Sequence, residues 1–172
     1  MKHHMNHFTR TAVLLSLALI FQIGFNQFAQ PAVGPLVNMT LIIATLIVGP
    51  LSATLIGVLT PLVAFLLGIM PLLPIVPFIM IGNAIFVFSF YLVSNKRGFL
   101  FEGIGVVVAA LLKTAFLAFS VRYLVTNFVA KVPPKLVTAL SIPQLYTALI
   151  GGFLAIIIGR YLIKAMKIEK NQ

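Results

Sequence analysis

The chain has 172 residues, of which 61% are apolar and only 8% charged, and its mean hydropathy is +1.15. A soluble domain carries roughly 25% charged residues, so this composition cannot furnish a surface for water, and a disordered chain is excluded by the same numbers. Twelve Lys and Arg against two Asp and Glu give a formal charge of +10, but the basic residues flank apolar runs, which points to membrane topology and anionic lipid instead of nucleic acid.

A bilayer-crossing helix takes about 20 residues, so the apolar content allows five or six spans and no separate soluble domain. The expectation is an all-α membrane protein, a compact bundle of six transmembrane helices. It forms one domain over 1–172, with a short head at 1–8 and a tail at 166–172. Span 1 runs from about Thr9 to Phe25. It follows a basic stretch as a secretory signal would, but no Ala-x-Ala site closes it, so a retained helix is expected. The break 26–31 leads to span 2, about Pro35 to Val48, and Gly49-Pro50 turns tightly into span 3, which reaches about Gly68. Prolines 71, 74 and 77 make the next stretch an apolar loop, because proline fits poorly inside a helix. Span 4 runs from Pro77 to Ser94 and span 5 from Gly103 to Asn127. After Lys131-Val132-Pro133-Pro134-Lys135 and a short amphipathic piece, span 6 covers Pro143 to Ala165.

Six spans put both termini on one side. Lys2, Arg10, Lys96, Arg97, Arg160, Lys164, Lys167 and Lys170 share that side, against Arg122, Lys131 and Lys135 on the other. By the positive-inside rule the N- and C-termini are cytoplasmic, and the 26–34, 69–77 and 129–142 connections face outward.

Several chemistries are missing. No G-x-x-x-x-G-K-[ST] is present, so the chain has no P-loop for ATP, and neither H-E-x-x-H nor G-x-S-x-G occurs. No acid lies at a span centre, which removes the usual proton relay. Without cysteine there is no thiol chemistry. His3, His4 and His7 have spacing that could hold a metal, but nothing supports them, and a solvated terminal head is the reading; no metal, cofactor or catalytic residue is expected.

Lys113 stands out, about 15 Å into span 5. An ionisable group there costs a few kcal/mol and marks a ligand or partner unless it snorkels to an interface. Asn83 lies about 9 Å below the outer end of span 4. Gln144 and Thr147 fall on one stripe of span 6, and Asn38 is a polar position of span 2. Each could be a simple interhelical hydrogen bond. Together Asn83, Lys113, Gln144 and Thr147 can meet in one outward cavity bounded by spans 4 to 6, a few polar groups in an apolar concavity.

The stretch from Gly34-Pro35-Leu36-Val37-Asn38 through Val48-Gly49-Pro50 and Leu59-Thr60-Pro61, continuing from Gly68 to Gly82-Asn83, resembles the substrate-binding S component of energy-coupling-factor (ECF) vitamin transporters. The resemblance covers nearly the whole chain. It implies a non-catalytic subunit in the plasma membrane of a prokaryote, binding a water-soluble vitamin from outside between spans 4 and 6, under the 1–2 and 3–4 loops. It further implies toppling onto one coupling transmembrane subunit and two ATP-binding subunits, which supply ATP hydrolysis. The family's Ala-x-x-x-Ala docking pair on span 1 corresponds here to Ala12 and Ser16. Metal-specific members begin with an exposed Met-His and carry an extra helix, unlike Met1-Lys2-His3 here. An anion with hydroxyls and an amide suits Lys113, Asn83, Gln144 and Thr147, so pantothenate leads, with pyridoxine, hydroxymethylpyrimidine and riboflavin as alternatives. A reading from another class is an MreD-like structural membrane scaffold, which needs no polar pocket.

Overall fold

The chain folds as a succession of helices: α1 (Lys2–Gly24), α2 (Gln30–Ile47), α3 (Pro50–Leu66), α4 (Val76–Ser94), α5 (Phe99–Phe119), α6 (Pro134–Ala139) and α7 (Ile142–Lys170). This computed structural model describes residues 2–25, 30–70, 72–94, 98–129 and 132–170, with side chains over 7–25, 32–70, 72–94, 98–129 and 132–166. Among the described residues there is no strand. Residues 26–29, Pro71, Lys96, Arg97 and Lys131 lie outside these limits, as do the side chains of His3, His4, Gln30, Pro31 and the tail beyond 166.

Among the described residues four helical segments are long and apolar enough to cross a membrane: His7–Gly24, Leu73–Ser94, Phe99–Asn127 and Pro134–Met166. Ala32–Ile47 and Pro50–Leu66 are shorter apolar helices. Their surfaces suit lipid as solvent. Leu51, Leu55, Leu92, Leu111, Leu112, Ile157 and Tyr161 are all exposed.

Several boundaries differ from the sequence expectation, beginning with α1, which starts at Lys2 and not near Thr9. α2 begins at Gln30, and Pro35 lies inside it. A proline so near the start leaves only a first-turn carbonyl without its partner, so the helix survives it. α5 begins at Phe99, four residues before Gly103, where Gly98 (φ 88) opens the helix and Glu102 occupies the first turn. Its far end tightens and loosens in turn, with a π-helical turn at Ser120–Leu124 and a 3₁₀ turn at Val125–Asn127. α7 continues to Lys170, and its 29 residues span roughly 43 Å, well beyond a hydrocarbon core of about 30 Å.

α2 is the central helix, with every residue from 37 to 45 buried. Its most extensive pairing is with α7, followed by α4 against α5. Small residues make the α2–α7 crossing close. A Cβ at Gly151 would collide with the Pro35 carbonyl oxygen, and one at Gly34 would come 2.8 Å from Thr147 Cβ. Around α2 the main core gathers Phe86 and Phe90 from α4, Ile56 from α3, Val106 from α5 and Ile156 from α7. A smaller cluster at the far end joins Ile75, Val121, Val125 and Leu140.

α3 ends where that far end begins. Gly68 adopts φ 72, its N–H donates to Phe65 O at 2.9 Å, and the Ile69 N–H donates to Ala64 O at 2.9 Å. This is a Schellman motif, which needs a left-handed residue and therefore favours glycine. The chain leaves it as the apolar segment 69–75, closed by a 3₁₀ turn at Leu73–Ile75.

Candidate binding site

A cavity of about 200 Å³ lies at the end of the bundle opposite both chain ends. Its lining comes from the last turn of α1 (Gln22), the first turns of α2 (Val33, Gly34, Val37, Asn38), the end of α3 (Thr60, Pro61) and the start of α4 (Ile79, Asn83). Lys113 of α5 and Gln144 of α7 complete its sides. Met70, Leu72, Ile75, Leu136 and Leu140 cover it, and Ile75 and Leu140 belong also to the smaller apolar cluster. The roof is thus part of a packed unit joining the 69–75 segment, the end of α5 and α6.

Lys113 is the centre of the polar chemistry. It is 3% exposed, and its Nζ donates to Asn38 Oδ1 at 2.7 Å and Asn83 Oδ1 at 2.8 Å. The ammonium also stands 5.1 Å from the Phe86 ring centre, a cation–π distance. Two of its three N–H groups are used by neutral amides, so one is left over. Asn83 donates its own Nδ2 to the backbone oxygen of Gly57 at 2.7 Å. Gly57 allows this approach, since a Cβ there would lie 2.9 Å from Asn83 Cβ.

No carboxylate balances this cation among the described side chains. The chain's acids are Glu102 and Glu169. Glu102 is bound to Arg160 Nε at 2.9 Å at the opposite end of the bundle, where Arg160 also lies 5.0 Å from the Phe99 ring. Glu169 falls near the end of α7, about 37 Å along the helix from Gln144. An ammonium in low dielectric with only dipoles for company is costly, which makes an incoming anion favourable there.

The five polar positions singled out in the sequence divide as follows. Asn38, Asn83, Lys113 and Gln144 line the cavity. Thr147 does not. It is fully buried, its hydroxyl donates to Gln144 O at 3.2 Å, and its methyl group packs on Gly34. Gln144 donates weakly to Ala139 O at 3.4 Å, which leaves its amide oxygen for a ligand. Asn38 keeps its Nδ2 without a protein partner among the described residues. The cavity is also broader than spans 4 to 6, because α2 and α3 supply a whole wall of it. Thr60 and Pro61 are not among the expected site residues, although Leu59-Thr60-Pro61 belongs to the stretch that carries the family resemblance. Thr60 itself is occupied, donating to Ile56 O at 2.6 Å.

Ala12 and Ser16, the pair that the resemblance aligns with a docking motif, are both exposed on α1, whose sole buried described residue is Ala18. Ser16 donates its hydroxyl to Ala12 O at 2.9 Å, so the serine presents a small, internally satisfied surface.

The family model for the substrate-specific component of ECF transporters matches residues 6–162. The chain belongs to that family. No curated protein and no solved structure matches it. As an ECF S component it is a substrate-binding transport subunit of the membrane, multi-pass, and its partners are a small-molecule substrate and an ECF module. The cavity's groups fit binding: they are donors, acceptors and one cation in an apolar shell, with no His or carboxylate among the described lining to move a proton.

Proposed function

We propose that this S component captures pantothenate from the outer face of a prokaryotic plasma membrane and delivers it by toppling onto the coupling module. The module would consist of one coupling transmembrane subunit and two ATP-binding subunits, with ATP hydrolysis confined to the latter. The chain crosses the bilayer six times in this reading, α2 and α3 as a short hairpin through Gly49-Pro50, with both termini in the cytoplasm. The excess of basic residues at the termini's end supports that orientation. The polar cavity gives the family's function a place that a structural scaffold would not need.

The observation that carries the substrate is the uncompensated Lys113 ammonium at the cavity wall. Pantothenate offers a carboxylate to the free N–H of Lys113. Its amide and hydroxyls complement Asn38 Nδ2, Gln144 and the remaining face of Asn83, and its geminal methyl groups suit Val33, Val37 and Pro61. Pyridoxine, hydroxymethylpyrimidine and riboflavin bring no anion to the ammonium. Ala12 and Ser16 form the contact to the coupling subunit in this reading.

Titration calorimetry of the purified protein with pantothenate, pyridoxine, hydroxymethylpyrimidine and riboflavin tests the choice. Pantothenate is expected to bind at one site and at least tenfold more tightly than the others, about 1.4 kcal/mol or more. Preference for an uncharged member of the set would move the substrate away from pantothenate and leave the transport function intact.

A further inference from the structure

We propose that Pro61 is a positioning residue for Lys113, acting through the backbone bond that it cannot make. In a helix the N–H of residue 61 would donate to the carbonyl of residue 57. Proline has no N–H, so the Gly57 oxygen is left without its helical partner inside a buried stretch of α3. Asn83 takes that place, with Nδ2 to Gly57 O at 2.7 Å. A freed carbonyl of this kind needs a donor, because a buried unpaired acceptor is expensive. The bond fixes which way the Asn83 amide faces. With Nδ2 held by α3, Oδ1 must point to the other side, where it accepts from Lys113 at 2.8 Å. Pro61 therefore sets the Asn83 amide, and Asn83 sets the ammonium.

Three further facts agree with this chain of cause. Pro61 and Thr60 are buried and line the cavity beside Asn83. Gly57 has no side chain, so Asn83 can reach the carbonyl that Pro61 leaves open. Thr60 already spends its hydroxyl on Ile56 O at 2.6 Å, one residue from the freed oxygen, and so offers it no donor. The loss of one backbone hydrogen bond in α3 is thereby converted into a fixed orientation for two side chains on α4 and α5. The role in substrate binding rests on the reading of the cavity given above, but the Pro61–Gly57–Asn83 linkage does not depend on which vitamin is carried.

The test is a thermal double-substitution cycle on the full-length protein in detergent, run without ligand, using Pro61→Ala, Asn83→Ala and the pair. The Pro61→Ala change restores an N–H to the Gly57 carbonyl. Asn83→Ala is expected to lower Tm markedly when residue 61 is proline and distinctly less when it is alanine, since the restored N–H rescues the orphaned oxygen. Loss of Lys113's partner is common to both arms and cancels. Equal losses in the two backgrounds would overturn the linkage. A second readout concerns position: pantothenate and its uncharged alcohol, pantothenol, are titrated into wild type and Pro61→Ala. The preference for the anion is expected to shrink about fivefold or more as Lys113 loses its fixed partner. An unchanged preference, with the thermal coupling present, would show that Pro61 holds Asn83 without positioning the lysine and would overturn the proposal. If wild type binds neither compound, the pantothenate reading fails, and the ligand-free cycle alone decides whether Pro61 sets Asn83.

Discussion

Lys113 is a buried cation between two amide oxygens, and its behaviour under substitution separates a ligand site from a structural bond. Lys113→Met keeps the length and the apolar stem but removes the charge and all three donors. Affinity for an anionic vitamin is expected to fall at least tenfold, about 1.4 kcal/mol, while the protein stays folded and is as stable or more stable. Asn38→Asp is the complementary change. It replaces an acceptor 2.7 Å from Nζ with a carboxylate of the same shape, so the lysine acquires an internal counter-ion. Binding of an anion is expected to be lost and thermal stability maintained or raised. Calorimetry and melting curves on both variants check this; tight anion binding by Asn38→Asp would show that the ammonium is not the anion's partner. The lysine was legible in the sequence because a charge within an apolar helix has few explanations. Its partner Asn38 was legible only as a polar position, since 75 residues separate them and periodicity says nothing about which helices meet. Thr147 shares a helical stripe with Gln144, yet three residues of turn carry it onto α2, where Gly34 makes room for it.

At the scale of elements, α1 differs from every other long helix in how little of it is covered. Ala12 and Ser16 lie one turn apart on its exposed surface, and small side chains there allow another helix to come close. Tryptophan at either position is expected to block assembly with the coupling subunit and ATP-driven uptake, with ligand affinity almost unchanged. Pull-down of the module and binding measured on the same preparations distinguish the two effects; full uptake by both variants would place the docking surface elsewhere. The helices themselves were largely readable from apolar runs and their breaks, and the apolar 69–75 segment from its prolines. Proline marks no boundary at the start of α2. α2 continues through Pro35, as α3 does through Pro61, because a lost backbone bond is tolerated near a helix start or where a side chain such as Asn83 replaces it.

For the whole molecule, charge and cavity lie at opposite ends. The ion pair Glu102–Arg160 is at the end with both chain termini, whereas the cavity end has exposed Arg122 and Lys135 and no acidic side chain among the described residues. A basic mouth of this kind would favour the approach of an anion, as the proposed substrate requires. The arrangement explains how a chain with two carboxylates can serve as the selective part of an importer. In the reading proposed above, recognition falls to donors and a cation in an apolar shell, and ATP hydrolysis to other subunits.

Native mass spectrometry of the protein released from detergent tests the central claim most directly. Wild type purified from cells supplied with pantothenate is expected to carry one small molecule per chain, with the mass of pantothenate, and Lys113→Met prepared in parallel is expected to be empty. Repeated recovery of wild type without any bound molecule, together with no binding of any vitamin offered, would contradict a substrate cavity at Lys113.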